Sequence, residues 1–143
     1  MQSANDILNR KGKAVHAVAP DATVFDALAI MAEKNIGALM VVEEEQLVGV
    51  FSERDYARKC VLRGKFSRET PVREIMTASP VTVTPETEIR ACMSMMTEHQ
   101  VRHLPVMDAG QLAGVLSIGD VVKSIIEDQD DSIGFLNRYI VGR

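Results

Sequence analysis

Apolar residues are distributed along the chain in two alternating rhythms. After a short extended piece, Val15–Val18, and Pro20, the positions Val24, Ala27, Leu28, Met31 and Ala32 recur at helical spacing and predict an amphipathic helix. An unbroken apolar run, Ala38–Val42, then a polar turn through Glu43, Glu44 and Glu45, then a second run, Leu47–Phe51, predict a β-hairpin. Further along, Ile89, Cys92, Met93 and Met96 predict another helix. Leu104–Met107 and Leu112–Leu116 flank a turn at Asp108, Ala109 and Gly110, with Pro105 suited to the beginning or edge of a strand.

These two passages are copies. An offset of 65 residues sets Pro20 on Pro85, Met31 on Met96, Glu33 on Glu98, Leu39 on Leu104 and Val41 on Val106. The same offset, without a gap, aligns Gln46-Leu47 with Gln111-Leu112, Gly49-Val50 with Gly114-Val115, Ser52 with Ser117 and Asp55 with Asp120. About a third of the aligned positions are identical, so the chain reads as a tandem duplication. Each copy is expected to run strand, helix, strand, strand, helix.

The last helix of each copy has a start signal. Ser52-Glu53-Arg54-Asp55 and Ser117-Ile118-Gly119-Asp120 fit the pattern of a capping box. The expected organisation is a helical lead-in (1–13), a first repeat (14–63), a polar linker (64–78), a second repeat (79–126) and a C-terminal acidic segment and helix (127–143). The linker holds Pro71 and a helical turn over Val72–Met76, and Ile7-Leu8 is expected to take the equivalent place before the first copy. Ile133, Phe135, Leu136, Tyr139 and Ile140 are expected to dock as part of a terminal helix.

Charge and composition narrow the function. The chain has 143 residues, 46% hydrophobic and 25% charged, with 16 Lys+Arg against 20 Asp+Glu. These values suit one soluble globular chain, and a net charge of −4 offers no cationic field for nucleic acid. The first residues lack the apolar stretch of a signal peptide and the apolar runs are strand-sized, so a cytoplasmic protein without membrane contact is expected.

The repeated Gly-x-x-Ser-x-x-Asp pattern is the main chemical signal: Gly49, Ser52 and Asp55, then Gly114, Ser117 and Asp120. Glycine allows close approach of a ligand to the backbone. An ionised aspartate can accept both hydroxyls of a ribose diol, and a serine at a helix start suits a phosphate oxygen. Helix capping alone explains the same serine and aspartate, and the two roles can coexist.

The segments Ile36–Val42, Gly49–Arg58, Val101–Val106 and Gly114–Val121 closely resemble a pair of CBS domains, named after cystathionine β-synthase, of the stand-alone bacterial type. The resemblance implies an α/β (α+β) fold of two tandem β-α-β-β-α repeats, packed sheet to sheet with pseudo-twofold symmetry. It also implies a homodimer that binds AMP, ADP, ATP, NAD(H) or S-adenosylmethionine in clefts between the repeats. One implied nucleotide site comprises Ala14, Val15, His16, Gly37, Ala38, Ser117, Gly119 and Asp120. The other comprises Ser52, Arg54, Asp55, Ser79, Pro80, Val81, Arg102 and His103. Arg54 and Arg102, with His103, concentrate positive charge at the second of these. The first has Gly119 and Gly37 in place of the two arginines, with Lys11 and Lys13 as candidates to compensate.

No nucleophile–base pairing, phosphate loop or metal cluster stands out, so no catalytic residue and no metal ligand is assigned. His103 is equally suited to burial with a backbone partner. His16 and His99 have no partner at ligand spacing, the methionines suit core or dimer packing, and Cys60 and Cys92 suit packing more than redox chemistry. The expected function is a non-catalytic sensor: bound nucleotide shifts the relative position of the copies and changes contact with a regulated protein on another chain. The alternative is a ligand-free dimerisation scaffold.

Overall fold

The computed structural model describes residues 2–141, and side chains as far as Gln129. It divides into two compact units, one spanning Ala14–Pro80 and the other joining the segment up to Lys13 with everything from Val81 on. Each unit contains one copy of the repeat.

In the unit spanning Ala14–Pro80, β1 (Ala17–Val18) runs parallel to β2 (Ala38–Glu43), which forms an antiparallel hairpin with β3 (Gln46–Ser52). The extended piece expected over 15–18 is thus a two-residue strand. A fourth strand, β4 (Thr77–Ala78), comes from the linker and pairs with Gly49 and Val50, giving the order β1-β2-β3-β4. Helix α1 (Ala4–Lys11) lies in the other unit, and α2 (Val24–Lys34) covers this sheet, with Val24, Ala27 and Met31 buried. They pack with Leu39, Val41, Phe51, Cys60, Val72 and Ile75 into one core. The helix after the hairpin departs from regular α geometry. α3 (Glu53–Asp55) passes directly into a π-helix, Tyr56–Val61, and the Leu62 amide closes it on the Ala57 carbonyl five residues back.

The second unit repeats this plan with fewer strands. α4 (Ile89–His99) packs on the hairpin of β5 (His103–Asp108) and β6 (Gln111–Ser117), and α5 (Ile118–Val141) follows. The expected opening strand is reduced to a single parallel bridge, Val83 to Val106, so the regular sheet has two strands. The expected docking of Ile133, Phe135, Leu136, Tyr139 and Ile140 lies outside the described side chains. Ala4, Ile7 and Leu8 of α1 join Ile89, Cys92, Met96, Leu104, Val106, Leu116 and Val121 in this unit's core.

The placement of α1 alters what the duplication led one to expect. The linker turn Val72–Glu74 packs on the first copy, and α1 packs on the second rather than before the first. The two strand glycines show why the segments are equivalent. A Cβ on Gly49 would stand 2.6 Å from Met76 Sδ, and one on Gly114 would stand 2.6 Å from Leu8 Cδ2. The close approach that glycine permits is therefore taken by the protein's own lead segments, which corrects the expectation that these glycines admit a ligand.

Candidate nucleotide-binding site

Each hairpin delivers its second strand straight into a helix, and the turn between them is built identically in the two copies. The Glu53 amide donates to the Gly37 carbonyl at 3.1 Å, and the Ile118 amide donates to the Arg102 carbonyl at 2.8 Å. These bonds fix the helix start against the residue that leads into the neighbouring strand. Ala38 lies opposite Ser52 and His103 opposite Ser117 in the two ladders. The junctions thus gather Gly37, Ala38, Ser52 and Asp55 in one unit, and Arg102, His103, Ser117, Gly119 and Asp120 in the other.

The capping reading holds at both junctions. Asp55 Oδ2 accepts from the Ser52 amide at 2.9 Å and from its hydroxyl at 3.0 Å, while the Asp55 amide donates to Ser52 Oγ at 3.2 Å. Asp120 Oδ2 accepts from the Ser117 amide at 2.8 Å, and its own amide donates to Ser117 Oγ at 3.1 Å. Three of the amides at each helix start are thereby engaged. The amides of Arg54 and Gly119 take part in none of these bonds, and they are the donors a phosphate could use.

Capping occupies only one oxygen of each carboxylate, and the second oxygens differ. Asp55 Oδ1 accepts from Thr77 Oγ1 at 3.3 Å and pairs with Lys59 at 3.1 Å, one turn along its own helix. Asp120 Oδ1 has no hydrogen-bond partner among the described residues; its Oδ2 also receives Lys11 Nζ at 2.7 Å. A carboxylate has about four lone-pair directions, so Asp120 retains accepting capacity for hydroxyls on Oδ1, whereas at Asp55 a hydroxyl takes the place of Thr77 or Lys59.

Charge at the second junction follows from these contacts. Burial pushes the Asp120 carboxyl up, but the Lys11 ammonium and the Ser117 amide outweigh it and hold the group below the usual carboxylate range. His103 is shifted down, first by burial and then by the nearby Lys11 charge, against an opposing pull from Asp120. Its imidazole is neutral at neutral pH, so it offers a hydrogen bond rather than the positive charge that the sequence reading placed beside phosphate.

The other expected residues are spread along connecting segments. Ala14 and Val15 lead into β1, the His16 carbonyl accepts the Met40 amide at 3.1 Å, and Ser79 holds a left-handed backbone, φ 49°, just before Pro80. Val81 opens the second unit. Lys11, expected only as a compensating charge at the site that holds Asp120, bonds that carboxylate directly, and Thr77 is a partner that sequence reasoning missed. The duplication offset sets Gly12 opposite Thr77, so the signal available was the position of each segment just ahead of a repeat. Cys60 and Cys92 are free and fully buried, and burial raises the Cys92 thiol.

The CBS-domain family model matches residues 5–61 and 72–127, covering both copies and their lead segments. The chain belongs to the CBS-domain family. It is 39% identical to the mitochondrial CBS domain-containing protein CBSX3 of Arabidopsis thaliana, over 96% of this chain and 71% of that one. Among solved structures, a CBS-domain protein from Burkholderia ambifaria MC40-6 superposes with a TM-score of 0.87 at 48% identity, covering 90% of this chain and 96% of that one. CBSX2, solved in complex with AMP, superposes at 0.73 with 26% identity, covering 89% and 98%. Paired CBS domains of this stand-alone type are regulatory modules. Among the described residues, no helix is long and apolar enough to cross a membrane.

Proposed function

We propose that this CBS pair is a non-catalytic sensor of adenine nucleotides, in which Asp120 and Asp55 accept the ribose hydroxyls. The helix starts at Gly119 and Arg54 take the phosphate side. The observation that carries this reading is the recurrence, in both copies, of a carboxylate at a capped helix start with one oxygen outside the cap: Asp120 Oδ1 has no partner among the described residues, and Asp55 Oδ1 meets only the exchangeable side chains of Thr77 and Lys59.

AMP is the favoured ligand class, since CBSX2 binds it, with ADP, ATP, NAD(H) and S-adenosylmethionine as competitors in the same test. The resemblance adds Ala14 to His16, Gly37 and Ala38 on the adenine side of one ligand, and Ser79 to Val81 with Arg102 and His103 around the other. Occupancy alters contact with a regulated protein on another chain, by no more than the difference in ligand affinity between the two arrangements of the module. The module acts as a homodimer in the cytoplasm. Leu62 at 78% and Phe66 at 72% exposure support self-association, and they equally favour the second reading, a dimerisation scaffold without ligand.

Isothermal titration of the protein with AMP, ATP, NADH and GTP separates the two. Saturable heat with adenine compounds and none with GTP supports the sensor; no heat with any of them supports the scaffold.

A further inference from the structure

Lys11 is held in place from several directions. It is the last residue of α1, whose inner face is seated by Ala4, Ile7 and Leu8 in the core and by Leu8 over Gly114. Its neighbour Arg10 donates to Glu127 at 2.6 Å, to the buried Ser124 hydroxyl at 2.7 Å and to Gln2 at 2.6 Å. From this base the Lys11 ammonium reaches Asp120 Oδ2 at 2.7 Å and the Val115 carbonyl at 3.0 Å. Asp120 is 23% exposed and Lys11 37%, so the pair is partly shielded from water.

The first copy has a different partner at this position. There the lead segment offers Asp55 a neutral hydroxyl, Thr77 at 3.3 Å, and the nearby cation Lys59 comes from the aspartate's own helix. Among the described residues, only the second junction receives a cation from the lead segment packed on its copy. A neutral diol that engages both carboxylate oxygens finds Oδ1 open but competes with that ammonium at Oδ2 and gives it nothing in return. A ligand that also carries phosphate supplies a new anion, and a lysine on its flexible four-carbon stem can turn to it.

We infer that Lys11 is the specificity-determining residue of the second junction: it closes Asp120 to unphosphorylated nucleosides and opens it to nucleotides by moving from the carboxylate to the phosphate. The inference rests on the nucleotide reading above and assigns that site its charge requirement.

The test is calorimetric titration with adenosine and with AMP in an Asp55→Ala background, which restricts the readout to the second junction. With Lys11 present, AMP is expected to bind at least about tenfold tighter than adenosine, the worth of one charge-assisted contact. In Lys11→Met the ratio is expected to fall to within about threefold, with adenosine binding unweakened, and Lys11→Arg is expected to restore it. A ratio unchanged in Lys11→Met overturns the inference while leaving the nucleotide reading intact. Binding of neither compound, in this background or in the unaltered protein, overturns the reading and the inference with it.

Discussion

Asp120 serves two demands with one carboxylate, and the balance between them is measurable. Its folded pKa lies below the unfolded value, so the ionised form stabilises the fold. That contribution is complete above about pH 5 and is lost as pH falls through the folded pKa, below about 4. Asp120→Asn is expected to flatten this acid limb in urea unfolding followed across pH. His103 works in the opposite range. Its folded pKa is lowered, so the unfolded chain takes up the proton first, and stability declines as pH drops below about 6.5. Lys11→Met removes a repelling cation and frees Asp120, and both changes raise the His103 pKa. An NMR titration of the imidazole shows it directly, and an unchanged midpoint contradicts the assigned contact. For ligand binding, Asp55→Ala or Asp120→Ala each removes about two charge-assisted hydrogen bonds, so affinity at the altered junction is expected to fall about 100-fold. Calorimetry of the folded variants checks it.

At the scale of elements, the hairpin turns and the glycine contacts carry the clearest consequences. Glu44 and Glu45 form a two-residue turn with φ values of 51° and 65°, a left-handed conformation that glutamate tolerates poorly. The second hairpin uses Ala109 and Gly110, at 50° and 80°. Replacing Glu44-Glu45 with Asn-Gly is expected to stabilise the protein by about 1–2 kcal/mol, read as a higher urea midpoint with unchanged slope. Gly114→Ala is expected to destabilise by about 1–3 kcal/mol, because its new methyl meets Leu8. Leu8→Ala in the same chain relieves the clash, so the double variant is expected to lose less than the two single losses summed. Simple additivity contradicts the packing of α1 on β6.

Across the whole molecule, the duplication that the sequence displays extends to backbone details. Both hairpins shift register at the same place, between Val41 and Val42 and between Val106 and Met107. Both central helices end on a left-handed residue, Asn35 and Gln100. The hairpins, the helices α2 and α4 and the capped junctions were legible because local periodicity and short-range hydrogen bonds specify them. The placement of α1 was not legible, since nothing in Ile7-Leu8 distinguishes Gly114 from Gly49 as a partner; tertiary packing decides it. The π-helix at 56–61 was equally hidden, because its apolar spacing resembles that of an ordinary helix. Of the candidate site, Ser52, Asp55, Ser117 and Asp120 could be read from the repeat and Lys11 only as a candidate compensating charge, whereas its bond to Asp120 and the role of Thr77 come only from long-range contacts.

The central claim is that this CBS pair binds adenine nucleotides, and a thermal-shift measurement tests it most directly. A ligand at about 100 times its Kd adds roughly 2.7 kcal/mol, which raises the midpoint of a chain of this size by about 5–11 °C. The account expects AMP or another adenine nucleotide to produce that shift, GTP to leave the midpoint where it is, and the Asp55→Ala/Asp120→Ala double variant to respond to neither. No shift with any adenine compound, or an equal shift in the double variant, contradicts it.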